Sequence, residues 1–224
     1  MDLPMALQKN ELFAHLPDAV IQREVLPHGY LQTFQKGQVV ISPQQKVDRL
    51  GVILTGRIHI MHLFPSGQYS LMSVLLPMKV LGADLVCTRS QRSPYHAVAA
   101  LPTQVFSLPI ELLTQPGILR EEHRLQALNQ LLTLLSQENM KKEYRLAILS
   151  QKGLRERIMV YLTMQANKHQ KNTFTIPFSR EEMASFLCVN RSALSHELSL
   201  MQKEGLLSFQ KNRFTLHDQE RGTL

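Results

Sequence analysis

Ser179-Arg180-Glu181-Glu182-Met183-Ala184-Ser185-Phe186-Leu187-Cys188-Val189-Asn190-Arg191-Ser192 is the stretch on which the fold turns. It opens with a serine followed three residues later by a glutamate. That is a capping box, in which each side chain satisfies a backbone N–H that the first turn of a helix leaves unpaired. Met183, Ala184 and Leu187 then share one apolar face. Cys188-Val189-Asn190 reads as a short turn, with Val189 directed inward and Asn190 capping a second helix. This second helix is predicted from Arg191 to about Glu204, with Leu194, Leu198 and Met201 inward and Gly205 as its stop. Two short helices around a three-residue turn fit a helix-turn-helix, whose second helix enters the major groove of DNA. Arg191, Ser192, Ser195 and His196 supply polar groups near the start of that helix, and Ser179, Arg180 and Asn190 join them as candidate DNA contacts.

Reading outward toward the carboxy terminus, Leu206-Leu207-Ser208-Phe209 and Phe214-Thr215-Leu216 flank Gln210-Lys211-Asn212-Arg213. Two apolar strands around a basic tip form a wing, with Lys211 and Arg213 placed to touch phosphate. Charge is distributed accordingly. Residues 1–140 carry 11 Lys/Arg against 10 Asp/Glu, whereas residues 141–213 carry 13 against 6. A basic third beside a near-neutral remainder implies a polyanion-binding module attached to something else.

Upstream, the period is helical from about Ile118, with Gly153 as a plausible carboxy-terminal cap. Positions 125, 132, 139 and 146 hold Leu, Leu, Asn, Leu; positions 128, 135, 142 and 149 hold Leu, Leu, Lys, Leu. Leucine at six of eight seam positions is the pattern of a two-helix coiled coil. Leu125, Leu128, Leu132, Leu135, Asn139 and Leu146 are therefore expected at a dimer interface. Leu131 and Leu134 widen the stripe enough to pack on a neighbouring domain as well. A further helix reads Leu154, Ile158, Tyr161 and Leu162 on one face, and Thr173–Pro177 reads as a short strand.

Residues before about 30 look helical or irregular. From Leu31 to Leu108, β-prone runs (39–41, 50–54, 58–64, 69–75, 96–100 and 105–108) alternate with turn signals such as Lys36-Gly37, Thr55-Gly56 and Pro102-Thr103. Such even spacing implies an antiparallel sandwich or roll rather than a parallel α/β sheet. The fold class is thus α+β, divided into a β-roll sensory domain (1–117), a dimerisation helix with hinge (118–152) and a winged-helix DNA-binding domain (153–224).

Composition narrows the classes. Hydrophobic residues at 44% and charged residues at 19% describe a globular protein, and no apolar run reaches membrane-spanning length. No secretory signal opens the chain, so a cytoplasmic location and no membrane partner are expected. The two cysteines, Cys87 and Cys188, are too few for a disulfide framework or a four-thiolate cluster, and both are expected to be buried packing residues. His59 and His62 lie three apart on a strand, facing opposite ways, so they do not chelate together. No nucleophile-and-base constellation, paired carboxylates or phosphate-cradling glycine loop is present. No catalytic residue, metal site or cofactor is expected, and the chain does not read as an enzyme.

With these motifs in place, the chain resembles the Crp–Fnr family of transcription regulators over nearly its whole length. Phe34-Gln35-Lys36-Gly37 and Leu54-Thr55-Gly56-Arg57-Ile58-His59-Ile60 are similar to the family's cyclic-nucleotide-binding β-roll signature. The leucine seam resembles its dimer helix. Thr175 to Ala184, with Val189-Asn190-Arg191-Ser192, resembles its winged helix. The resemblance implies a homodimer on a two-fold symmetric DNA operator, RNA polymerase as a further partner, and a small-molecule effector. It puts base reading on Arg191, Ser192, Ser195 and His196. Many relatives have glutamate at the position of Ser192 and arginine at that of His196. A histidine lacks arginine's two-pronged grip on guanine, so the operator is expected to depart from the family's best-known consensus.

The resemblance also locates a sensory pocket, from which this sequence departs. The family's cyclic-AMP cassette pairs glycine–glutamate with arginine–serine. Here Gly82-Ala83-Asp84 has alanine at the glutamate position with Asp84 one place on, and Arg92-Ser93 is followed by proline. Gly82, Asp84, Arg92 and Ser93 are the candidate effector residues, joined by Asn139 and Lys142 from the helix, and the expected effector is not cyclic AMP. Two other readings stay open: a constitutive regulator whose β domain is a dimerisation or polymerase-contact scaffold, and a cyclic-nucleotide-binding regulatory subunit of an enzyme.

Overall fold

The computed structural model of the chain describes residues 2–64, 67 and 69–217. It begins with α1 (Leu3–Gln8) and α2 (Asp18–Val20), the latter continuing through a π turn (Ile21–Val25) and a 3-10 turn (Leu26–His28). Strands β1 (Tyr30–Phe34), β2 (Val39–Ile41), β3 (Arg49–Thr55), β4 (Ile58–Leu63), β5 (Tyr69–Leu75) and β6 (Val80–Leu81) lead to the short α3 (Ala83–Val86). Then come β7 (His96–Ala99), β8 (Thr103–Pro109), α4 (Glu111–Thr114) and the long α5 (Glu121–Leu149). The remainder is α6 (Leu154–His169), β9 (Thr173–Thr175), α7 (Arg180–Phe186), α8 (Arg191–Lys203), β10 (Leu207–Gln210) and β11 (Arg213–Leu216).

The chain divides at Met140/Lys141 into two compact units, so that α5 contributes to both. In the first, two four-stranded antiparallel sheets have strand orders β1-β8-β3-β6 and β2-β7-β4-β5. Apart from the β4–β5 hairpin, successive strands leave one sheet for the other, and their pairings are long-range: Tyr30 lies opposite Ser107, and Arg49 opposite Pro109. Phe34, Ile53 and Val105 of one sheet share a single apolar core with Ile41, Ile58 and Ala97 of the other. Leu7, Phe13 and Ile21 of the amino-terminal segment close that core, and Ala127, Leu131 and Leu134 of α5 enter it too. Strand β1 precedes the β-prone runs read from sequence. Gln32 and Thr33 dilute its apolar character, and it is ladder pairing with β8 that makes it a strand.

In the second unit α6 buries Ile158, Tyr161 and Leu162, and α8 buries Leu194, Leu198 and Met201. A three-stranded sheet in the order β10-β11-β9 buries Phe174 and Phe214. Two expectations are corrected. Gly153 does not cap the end of α5; at φ −101° it is the first residue before α6. The cysteines are not buried. Cys87 ends α3 and Cys188 occupies the turn between α7 and α8, both exposed, and no disulfide joins them.

The leucine seam splits between two uses. Leu128 and Leu135 pack, half-buried, against the β-roll core beside Leu131 and Leu134. Leu125, Leu132 and Leu146 instead remain 49%, 62% and 62% exposed, forming with Asn139 an uncovered row down α5.

Candidate nucleic-acid interface and sensory cassette

The helix pair forms around the predicted capping box. Glu182 N–H donates to Ser179 Oγ at 3.3 Å, and Ser179 N–H donates to the Glu182 carboxylate at 2.6 Å. Met183, Ala184 and Leu187 are buried as their spacing requires. Cys188 turns the chain at φ +57°, and Gly205 stops α8 at φ +77°. Asn190 does occupy the position before α8, but its side chain makes no capping hydrogen bond. It lies exposed with Arg191, Ser192 and His196, while Ser195 is half-buried. The Arg191 guanidinium is 3.7 Å from the Glu181 carboxylate, both groups well exposed, which is a loose contact that a stronger anion would displace. Lys211 and Arg213 are exposed at the wing, Lys211 at φ +56° in the tip turn.

Arg180 behaves differently from the other candidates. Its guanidinium stacks 4.8 Å above Phe209 and 5.6 Å above Phe214, and donates to the Lys211 carbonyl at 3.2 Å. Burial, and secondarily the charge of Arg191, pushes its pKa down. It therefore ties α7 to the wing, whatever it also offers to DNA.

Three further arginines hold this unit together, and sequence reasoning missed them. Arg155 on α6 donates to Glu197 at 2.6 Å and grips Glu204 with two bonds of 2.7 and 2.9 Å, pinning both ends of the carboxy-terminal half of α8. The hydrogen bonds to Glu204 and then Glu197 hold its pKa up. Arg145, on the part of α5 in this unit, is buried. It stacks on Phe186 at 4.8 Å and donates to the Phe186 carbonyl at 3.2 Å, beside Cys188. Arg157 donates to the Gln151 and Leu187 carbonyls. One signal was available: Glu197 and Glu204 are seven apart, on one face of a predicted helix that otherwise binds a polyanion.

The sensory cassette is bonded to itself. Gly82 precedes α3 at φ +82°, a conformation that favours glycine. Ser93 is fully buried, its hydroxyl donating to the Tyr95 carbonyl at 2.8 Å and accepting the Tyr95 N–H at 3.2 Å. The buried Tyr95 phenol donates to Asp84 at 2.9 Å, and Glu138 of α5 lies near enough to act on it. Burial first, and then the Asp84 carboxylate, drive the Tyr95 pKa well above the tyrosine range. Arg92 is exposed and donates to the Gln44 carbonyl at 2.7 Å. Asn139 and Lys142 are exposed residues of α5, the first in one unit and the second in the other. Among the described residues no group of three or more His, Cys, Asp or Glu is arranged to hold a metal ion, and no helix is long and apolar enough to cross a membrane.

This arrangement is matched by known families. The model of a Crp-like helix-turn-helix domain matches residues 156–221, and that of a cyclic nucleotide-binding domain matches residues 31–115. Fold and site thus define a DNA-binding transcription regulator with an effector-binding type of β domain. The chain belongs to the Crp–Fnr family. It is 24% identical over 193 residues to the global nitrogen regulator of Synechococcus elongatus, covering 83% of this chain and 85% of that protein. The solved structure of CLP, a c-di-GMP responsive global regulator of Xanthomonas campestris, aligns at TM-score 0.69 and 15% identity over 90% of this chain and 100% of that one. FixK2 of Bradyrhizobium japonicum aligns at TM-score 0.65 and 17% identity, covering 85% and 93%. At such identities the two structures speak for the fold.

Proposed function

We propose that the chain acts as a cytoplasmic homodimer, switched by a small effector other than cyclic AMP, that reads a two-fold symmetric operator through Arg191, Ser192, Ser195 and His196. The sensory part is residues 1–117, the dimer helix and hinge 118–152, and the reading head 153–224. The observation that carries the DNA-reading half is the exposed polar start of α8 beside an exposed basic wing. Ser179, Arg180, Asn190, Lys211 and Arg213 would position the head on phosphate. The exposed row Leu125, Leu132 and Leu146 supports self-association, because a stripe of this kind is what a coiled-coil partner covers. RNA polymerase is the further partner that family membership implies, and the function needs no catalytic centre.

An effector in the β domain can shift the two arrangements of the dimer only by its differential affinity for them. Gly82, Asp84, Arg92 and Ser93, with Asn139 and Lys142, would carry that response. Selection of operators from random duplex DNA with the full-length protein tests the proposal. The expected outcome is an inverted repeat whose half-sites lie about one helical turn, roughly 34 Å, apart. Recovery of unrepeated single sites would overturn the dimeric reading. An operator affinity unmoved by any metabolite fraction would favour a constitutive regulator.

A further inference from the structure

We propose that the mouth of the β-roll around Arg49 is an effector site and that it takes a small carboxylate. This rests on reading the β domain as a sensor, and names the site and the ligand class. A cavity of about 210 Å³ opens there. At about 30 Å³ per water-sized group it holds roughly seven such groups, so the ligand is a small acid. Ile41, Val47, Leu81 and Val105, all buried, line it together with Gln32, Gln45 and Ser107. Lys46, Asp48 and Arg49 carry the charges of the lining, two positive and one negative, which suits a monoanion.

Two features shape the cavity. The first is Gly51, in the interior of β3, where a glycine weakens a strand and marks a close approach by a neighbouring group. A Cβ there would lie 2.8 Å from the Val105 side chain, so the glycine lets Val105 and Leu81 pack down on β3 beneath the cavity. The second is Arg49. Its guanidinium lies 4.7 Å over the Tyr30 ring and donates through Nη2 to the His28 carbonyl at 3.2 Å. Its Nε is buried with no hydrogen-bond partner among the described residues. An unmet buried donor on a cation is costly, and a carboxylate taking Nε together with an Nη relieves it in the two-pronged geometry guanidinium prefers. Movement of the Tyr30 ring, half-exposed at the rim, opens that edge.

The cavity also connects to the cassette. Its wall, residues 45–48, is stitched to the cassette segment 91–93 by Ser93 N–H to the Gln45 carbonyl (3.0 Å) and Val47 N–H to the Gln91 carbonyl (2.7 Å). Arg92 bonds the adjoining Gln44 carbonyl. Movement of Lys46 or Arg49 on binding therefore reaches Arg92 and Ser93 through backbone hydrogen bonds, while Ser93, Tyr95 and Asp84 remain bonded to one another.

Titration calorimetry on the full-length protein tests this with 4-methylpentanoate, its primary amide and L-leucine as probes, each also added to an operator-binding assay. The carboxylate should bind saturably and the amide about tenfold or more weakly, the difference expected when a charge-assisted pair is lost. Arg49→Lys should lose a similar factor, and Gly51→Ala should weaken binding without removing a charge. Should Arg49→Lys fail to fold, Lys46→Gln carries the test with a smaller loss. L-leucine binding as tightly as the acid would assign the natural ligand to amino acids, with Asp48 taking the ammonium. Weaker binding would assign it to simple organic acids. No binding by any probe, or binding unaffected by Arg49→Lys and Gly51→Ala, overturns the site. Loss confined to Arg92→Gln would put the carboxylate in the cassette and also overturn it. Arg49-dependent binding that left operator affinity unchanged would keep the site and remove the sensory reading.

Discussion

The reading head and the sensory cassette use polar side chains in opposite ways. In the head, Arg145, Arg155 and Arg157 are committed to carbonyls and carboxylates of their own unit, and they leave Asn190, Arg191, Ser192 and His196 exposed on a fixed helix. In the cassette, Ser93 and Asp84 are both bonded to Tyr95, and Arg92 is bonded to Gln44. One region is a frame presenting exposed polar groups to a partner; the other is a set of internal bonds that a ligand would have to displace. Family motifs are present in both, so motif content alone does not distinguish a site that is open from one that is internally satisfied.

The largest expected effect breaks the frame at its symmetry. Leu132→Glu places a charge in the centre of the exposed row on α5 and should convert the dimer to monomer in equilibrium ultracentrifugation, with operator affinity falling alongside. A folded variant that still sediments as a dimer would remove α5 from the interface. Next, Arg191→Ala should cost about 1–3 kcal/mol on the selected operator and much less on random duplex. Equal losses on both would demote Arg191 to a phosphate contact.

The two buried tyrosines sharpen the contrast directly. Tyr95 donates to a carboxylate, whereas the Tyr161 hydroxyl is buried in the head with no hydrogen-bond partner among the described residues. Tyr95→Phe should therefore destabilise by about 1–2 kcal/mol, and Tyr161→Phe should be neutral or stabilise by about 1 kcal/mol, in urea melts at neutral pH. Their pKa values are both raised, Tyr161 by burial alone and Tyr95 by burial and then Asp84. Each native phenol thus holds its proton more tightly than the unfolded one. The stabilisation is complete below the ordinary tyrosine value, about 10, and is lost as pH rises from there toward the raised native value. Either phenylalanine variant should accordingly show a shallower fall in urea midpoint above pH 10; an unchanged profile would mean that the phenol is not shielded. The smallest effect belongs to the wing. Neutralising Lys211 or Arg213 should weaken binding to all sequences and flatten the salt slope by about one unit each.

Much of the head was legible because its signals are local. Ser179 and Glu182 cap within one turn, Leu194, Leu198 and Met201 recur at helical spacing, and the strands of the wing adjoin their own basic tip. Local charge was legible too, but its use was not. Of the basic residues in 141–213, Arg145, Arg155, Arg157 and Arg180 make internal contacts, and composition counts them the same as Lys211. The leucine seam shows the same limit. Helical periodicity places Leu128 and Leu132 on one broad stripe, yet packing buries part of the first and exposes the second.

By itself the sequence determined six of the strands of the β domain, the helix-turn-helix and its likeness to one family of regulators, because capping, periodicity and turn chemistry act over a few residues. Tertiary structure alone decided that Tyr95 joins Ser93 to Asp84 and that Arg155 closes on Glu197 and Glu204. It also decided that Arg49 is held over Tyr30 beside a cavity lined by Gly51. These groups meet only after strands and helices far apart in the chain have paired. Which charge is satisfied and which is left for a ligand is set by that pairing, since the cost of an unmet donor depends on what surrounds it.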